Sequence, residues 1–200
     1  MMILSQVKEA LEDKGGSPQA IHFAEVLMQH AELQTLTTSG GGAVRDRYMA
    51  DNVQWISRQE QLSGHGSIFV TGHNSHVAKW GSLDSMGKFL SKDASNGYYV
   101  IGTDFYKTRC NMPARRPEKR TTQVFYSHDP FAKAAKLAGL DSCWLDFGRI
   151  PENSELGRQA AAYTYMGTLG ESYSPLMRIL PPSYRMFQPP AVLYDSMIFV

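Results

Sequence analysis

The sequence predicts an α/β fold with a mostly parallel sheet, and two observations carry that prediction. Short apolar, β-branched runs recur along the chain, as strands buried on both faces do. Segments of helical period separate several of them, and strands alternating with helices form crossover units of one hand. Composition permits a core, since 42% of the 200 residues are hydrophobic, close to the globular average. The length suits one domain or two small ones.

Helices dominate the first third. Ile3, Leu4, Val7 and Leu11 recur at three- and four-residue spacing, and Gly15-Gly16 ends that helix. Ser17-Pro18 opens a second, with Ser17 as N-cap and Pro18 in the first turn, where a missing N–H costs little. Ile21, Ala24, Leu27, Met28 and Ala31 form its apolar stripe. Residues Thr37 to Gly42 read as a flexible glycine-rich connection, lacking the lysine and spacing of a phosphate loop. A third helix is predicted from about Ala43 to Leu62, with Tyr48, Met49, Asn52, Trp55 and Ile56 on one face.

The period then changes. Strands are predicted at Ser67–Thr71, Tyr98–Ile101, Cys143–Leu145 and Ser196–Val200, and a weaker one at Gln123–Tyr126. Helices are expected at Ser85–Lys92 and at Pro130–Ala138, the latter closed by Gly139. Pro181-Pro182 and Pro189-Pro190 mark a loop before the last strand.

Charge and cysteine content narrow the function classes. A formal net charge of +1 gives no long-range attraction to nucleic acid or an anionic membrane. The basic run Arg115–Arg120, interrupted by Pro117 and Glu118, reads as a solvated loop. Cys110 and Cys143 are too few for a disulfide framework and lack metal-site spacing, which agrees with a reducing compartment. The first residues show no basic region followed by an apolar run, and no stretch reaches the roughly 20 apolar residues of a membrane span. A cytoplasmic protein is expected.

One segment concentrates chemistry. His73-Asn74-Ser75-His76 directly follows the first predicted strand, and functional groups gather beyond the carboxyl ends of strands in α/β sheets. Two imidazoles three residues apart converge if the loop turns helical. An unperturbed histidine titrates near pH 6.5 and can move a proton at neutral pH. Asn74 adds an amide able to orient a ring or donate to an oxyanion. The spacing alone is compatible with histidines that bond neighbouring backbone, and with a zinc site that lacks its third ligand. A serine nucleophile is unsupported, because no Gly-x-Ser-x-Gly elbow occurs.

Ordered motifs extend beyond this segment. Arg45-Asp46-Arg47-Tyr48-Met49-Ala50-Asp51-Asn52 precedes His73, Asn74 and His76, followed by Met86-Gly87 with Leu90, then Ile101–Phe105, and finally Tyr194–Phe199. The set resembles, in order, the motifs of the erythromycin-esterase-like family. The resemblance implies a three-layer α/β/α fold with a cleft, here an incomplete version. It makes residues 1–200 a single domain of that type, its C-terminal portion, with residues 1–42 a helical lead-in. It further implies a metal-independent carboxylic ester hydrolase, needing no cofactor, that activates water with a histidine; macrolide antibiotics are one substrate class. By the same resemblance His73 is the first candidate for the catalytic imidazole and His76 the second. Asn74, Arg45 and Asp46 would meet the substrate, although Arg45-Asp46 also reads as a helix-start ion pair.

Two departures accompany the resemblance. Nothing in the sequence matches the Gly-Glu-x-x-His-Gly motif of the family's N-terminal portion, and Tyr106–Arg109 stands where a glycine often follows the Asp-Phe pair. Activity is therefore expected only with the missing portion supplied, and the rival reading is an inactive, truncated α/β remnant serving as a binding or interaction module. A sheet cut from a larger fold also exposes an edge, so self-association is expected. The partners anticipated are a small-molecule ester and neither nucleic acid nor membrane.

Overall fold

Residues 2–36, 41–81, 84–93, 97–114 and 119–200 are described by the computed structural model. Residues 37–40 of the glycine-rich connection and 115–118 of the basic run lie outside them. The three predicted helices form α1 (Met2–Asp13), α2 (Pro18–Leu33) and α3 (Gly41–Leu62). Ser17 caps α2 by accepting the Ala20 N–H at 3.2 Å, with Pro18 at its start. α1 buries no residue and is tied to α2 by the Lys8–Glu25 ion pair at 2.8 Å. α3 is anchored to α2 by the stacking of Trp55 on His22, 4.0 Å between centroids, and by the Tyr48 hydroxyl donating to Glu32. These contacts set which face of α3 meets α2, and leave Asp46 and Ala50 buried on the face that turns toward the rest of the chain.

Two short helices follow, α4 (Asn74–Val77) and α5 (Met86–Asp93). They meet closely because Gly87 has no side chain: a Cβ there would collide with the Val77 carbonyl. Beyond them lie β1 (Ile101–Asp104), β2 (Lys107–Pro113), β3 (Arg120–Tyr126), α6 (Pro130–Leu137), β4 (Cys143–Asp146), α7 (Glu155–Ala161), β5 (Thr164–Gly167), β6 (Arg185–Gln188), α8 (Pro190–Leu193) and β7 (Ser196–Phe199). Asp129 caps α6 through its Oδ1, which accepts the N–H groups of Phe131 and Ala132 at 2.6 and 3.1 Å. Gly139, at φ 72°, closes the same helix in the left-handed region.

The expected mostly parallel sheet is not what forms. Among the described residues the strands make a three-stranded sheet in the order β1-β7-β4 and two hairpins, β2-β3 and β5-β6. Only β1 and β7 run parallel, and the other three pairings are antiparallel. The physical reason lies in β2, β3, β5 and β6. They pair with a near neighbour in the chain or across one long connection and not through helical crossovers, and β4 joins β7 antiparallel too, so an apolar run such as Gln123–Tyr126, which does lie in β3, leaves the sense of pairing open. A second correction concerns Ser67–Thr71, which is no strand: it has no sheet partner among the described residues, and Phe69 is 86% exposed. The run predicted at Tyr98–Ile101 is displaced, since pairing begins only at Ile101.

The core collects around β7, whose Met197 and Phe199 are fully buried. Phe131 of α6 packs against Phe199, and Leu193, Tyr194, Met166, Leu90 and Met86 complete the cluster. Tyr194 lies across Gly102, where a Cβ would sit 2.8 Å from its ring. Asp195 then pins the start of β7 to its neighbours, accepting the Val100 N–H at 2.7 Å and the Lys79 ammonium at 2.6 Å.

Candidate functional site

One turn of helix gathers the chemistry. His73 is the N-cap of α4, and its carbonyl accepts the His76 N–H at 2.8 Å. That closure brings two imidazoles three residues apart onto one side. The rings lie 6.5 Å apart between centroids, at 73° to each other. His73 is exposed and His76 half-buried, so both are open to water. The turn is thus helical, as convergence of the rings requires, but it follows an exposed extended segment and not a buried strand.

His76 is held from α3. Its Nδ1 lies 2.7 Å from Oδ1 of Asp46, and its Nε2 lies 3.2 Å from a terminal guanidinium nitrogen of Arg45. A guanidinium only donates, so Nε2 must be the accepting nitrogen and Nδ1 must carry the proton given to Asp46. This is the geometry of an acid-oriented imidazole: the carboxylate fixes the tautomer and stands ready to stabilise a positive ring. Asp46 is buried and Arg45 exposed. Sequence order places both in the first turns of a helix. Only the tertiary fold brings them to a histidine 30 residues on.

His73 is saturated differently. Its Nε2 lies 3.0 Å from the Leu169 carbonyl, so Nε2 carries the proton. Its Nδ1 then accepts from the Ser75 hydroxyl at 2.8 Å and, more weakly, from the Ser75 N–H at 3.3 Å. Leu169 is carried there by the end of β5. The buried carboxylate of Asp104, at the end of β1, accepts the Gly167 N–H at 3.0 Å and the Phe105 N–H at 2.7 Å. Its Oδ1 occupies the space a Gly167 Cβ would need. Burial pushes the Asp104 carboxyl above the usual range, and the N–H groups of Gly167 and Phe105 together with the Ser127 hydroxyl oppose that shift.

Asn74 faces the sheet. Its amide nitrogen donates to the Thr103 carbonyl at 2.6 Å, and its oxygen accepts the Thr103 N–H at 3.1 Å. The side chain therefore takes the place of a neighbouring strand at the edge of β1. Of the five residues singled out by sequence, the structure brings Arg45, Asp46 and His76 into direct contact and sets His73 beside them. It commits the amide of Asn74 to backbone. Leu169 and Thr103 were not legible as partners, because a main-chain group has no side-chain signature and Leu169 lies 96 residues from His73. Among the described residues, no group of three or more His, Cys, Asp or Glu gathers to hold a metal ion, and no helix is long and apolar enough to cross a membrane.

Comparison with known proteins bears on the fold that presents this turn. The erythromycin esterase family profile matches residues 5–200. No curated protein matches the sequence. Among solved structures, a succinoglycan biosynthesis protein is similar with a TM-score of 0.77 and 16% identity, covering 98% of this chain and 47% of that one. A Bacillus cereus protein is similar with a TM-score of 0.74 and 18% identity, covering 100% and 48%. A mutant of the erythromycin esterase EreC, in its open conformation, is similar with a TM-score of 0.54 and 16% identity, covering 100% and 49%. The chain thus spans about half the length of the structures it matches.

Proposed function

Because this chain belongs to the erythromycin esterase family, we propose that its His73–His76 turn is the water-activating part of a site that hydrolyses a carboxylic ester. One observation carries the reading: Asp46 holds the Nδ1–H of His76, leaving Nε2 as a base beside the Arg45 guanidinium. Water attacks the ester carbonyl while its proton moves to Nε2. The carbonyl electrons pass to oxygen, and Arg45, displaced from the ring it now touches, meets that oxyanion. Collapse expels the alkoxide, which recovers the proton from Nε2, and the imidazole is neutral again. Acid–base catalysis of this kind is worth roughly 10²–10⁴ in rate. In this reading His76 is the base in preference to His73, because the Nδ1–H of His76 meets the Asp46 carboxylate, which stabilises a positive ring, while the Nε2–H of His73 meets only the Leu169 carbonyl. His73 lines the site from the N-cap, and Asn74 holds the turn on β1. The elements belong to a three-layer α/β/α fold, and a macrolactone is one ester that such a site would take.

The test is hydrolysis of 4-nitrophenyl acetate and of erythromycin by the purified chain and by His76→Gln. The reading expects the variant to lose roughly 10²-fold or more in kcat/KM with its circular dichroism unchanged. Equal rates in parent and variant overturn it. A second reading has its own observation, the half-length span relative to the matching structures. In that reading the turn belongs to a binding or interaction module, and no hydrolysis above background is expected from the chain alone.

A further inference from the structure

The three-stranded sheet has two edges, and they are finished differently. At β1 the edge is closed by a side chain: the Asn74 amide donates to the Thr103 carbonyl at 2.6 Å and accepts the Thr103 N–H at 3.1 Å. At β4 the edge is open, with no further strand among the described residues. The direction of its backbone groups follows from β7. The Val200 N–H donates to the Asp104 carbonyl at 3.1 Å, so Val200 and, by alternation, Ile198 and Ser196 turn their main-chain groups toward β1. Met197 and Phe199 therefore turn theirs toward β4, where their register partners are Leu145 and Cys143. That leaves the N–H and C=O groups of Trp144 and Asp146 pointing away from the sheet. Neither lysine nor proline blunts Cys143-Trp144-Leu145-Asp146. The Trp144 side chain is 59% exposed and shares a face with Ile198 and Thr103, its neighbours across the strands. Arg149, itself exposed, reaches back to the Asp146 carboxylate at 3.3 Å.

We propose that two copies of this chain pair through their β4 edges, antiparallel and about a twofold axis at Leu145. The outward groups are spaced for it. Trp144 and Asp146 flank Leu145, so the N–H and C=O of Trp144 meet those of Asp146 of the partner subunit, and symmetry forms the reverse pair. The occupant is a second copy because the side chains match as well. Trp144 and Asp146 lie on one face, two residues apart, and the pairing sets each Trp144 ring beside the partner's Asp146 and the partner's Arg149. A guanidinium over an indole face is a favourable contact. Asp146 is already neutralised within its own chain, and a net charge of +1 adds little repulsion between copies. The two sheets become one. Each edge that remains is a β1 closed by Asn74, so the assembly stops at two copies. The paired strand is only four residues long, which makes the dimer concentration-dependent and not permanent.

Sedimentation equilibrium of the intact 200-residue protein, over about 1 µM to 1 mM, is the test. The mass is expected to rise from that of the monomer to twice that value and to stop there. Amide hydrogen exchange, compared at low and high concentration, is expected to slow at Trp144 and Asp146 and to stay unchanged at Thr103 on the closed edge. Trp144→Pro removes an outward N–H that no strand of the chain uses, and proline is tolerated at such edge positions. It should stay a monomer throughout, with its circular dichroism unchanged, and Arg149→Gln should pair more weakly than the parent. A parent that is monomeric at every concentration overturns the proposal and leaves the edge to a strand of a different chain. Dimers that survive Trp144→Pro, or association that continues past two copies, overturn it as well. Should the proline variant fail to fold, the exchange measurement on the parent decides: Trp144 and Asp146 amides that exchange equally fast at both concentrations refute the pairing.

Discussion

Two segments of similar composition meet opposite fates in this protein. Ser196-Met197-Ile198-Phe199 forms β7, flanked by a strand on each side, with Met197 and Phe199 at 0% and 2% exposure. Ser67-Ile68-Phe69-Val70-Thr71 is extended as well, yet it has no strand partner among the described residues and presents Phe69 to solvent. Side-chain pattern alone sets both up for burial on two faces. What separates them is pairing. β7 has β1 and β4 to satisfy its backbone, and helix α6 packs on it through Phe131 against Phe199. The His73 turn therefore hangs from an exposed segment, and its position comes from the packing of Val77 in the core and from side-chain bonds: Asn74 to β1, His76 to α3, and His73 to the strap that follows β5.

The largest effect expected from this contrast is at the centre of β7. Met197→Ala should destabilise the protein by up to about 5 kcal/mol, the upper range for emptying a fully buried methionine site. Urea denaturation at constant pH measures it. A cost below about 1 kcal/mol would mean that β7 is not the packed centre that its burial indicates.

The sequence made part of this arrangement legible and hid the rest for identifiable reasons. Helices α1, α2, α3, α5 and α6 were readable because period, caps and closing glycines are local signals, as at Ser17-Pro18 and Asp129–Gly139. Strand β7 was readable because a central strand is apolar without alternation, and the edge strand β4 because Cys143-Trp144-Leu145 is a short apolar run. β2 was invisible in Lys107-Thr108-Arg109-Cys110-Asn111, since an antiparallel hairpin strand with a solvated face needs few apolar residues. The parallel or antiparallel sense of a pair is set by connections, not by residues within the strand. At the site, the histidine pair and the Arg45-Asp46 pair stood out by residue type. Their contact depends on the packing of α3 against the turn, which no spacing encodes.

The second effect concerns the helix that covers β7. Asp129 is fully buried, its Oδ2 has no hydrogen-bond partner among the described residues, and burial reinforced by the nearby Asp104 carboxyl raises its pKa to about 7. In the unfolded chain an aspartate titrates near 3.9. Below about pH 4 the group is protonated in both states, and its contribution to stability is complete. Between about pH 4 and 7 the unfolded chain releases a proton that the folded chain retains, so stability falls as pH rises. The loss is at most about 4 kcal/mol, and the curve levels off above pH 7. Asp129→Asn keeps an oxygen for the Phe131 and Ala132 N–H groups and removes the ionisation. Its stability should change much less across that window. Asp104, also shifted upward by burial, adds slope of the same sign, and His128, pushed below the usual histidine range by burial, adds slope of the opposite sign. Denaturant midpoints at several pH values for parent and variant decide the point, and parallel curves would refute the assignment to Asp129.

The smallest effect is the sharpest probe of the opening contrast. Phe69 is 86% exposed, so Phe69→Lys removes almost no packing and solvates an apolar surface. Exposed substitutions of this kind stay within about 0.5 kcal/mol of the parent. The same change at the buried Phe199 would bury an unpaired charge in the core. If Phe69→Lys in this chain costs more than about 1 kcal/mol in urea denaturation, the segment is covered in solution. The His73 turn would then inherit a rigid strand beneath it, and its three side-chain anchors would cease to be what holds it in place.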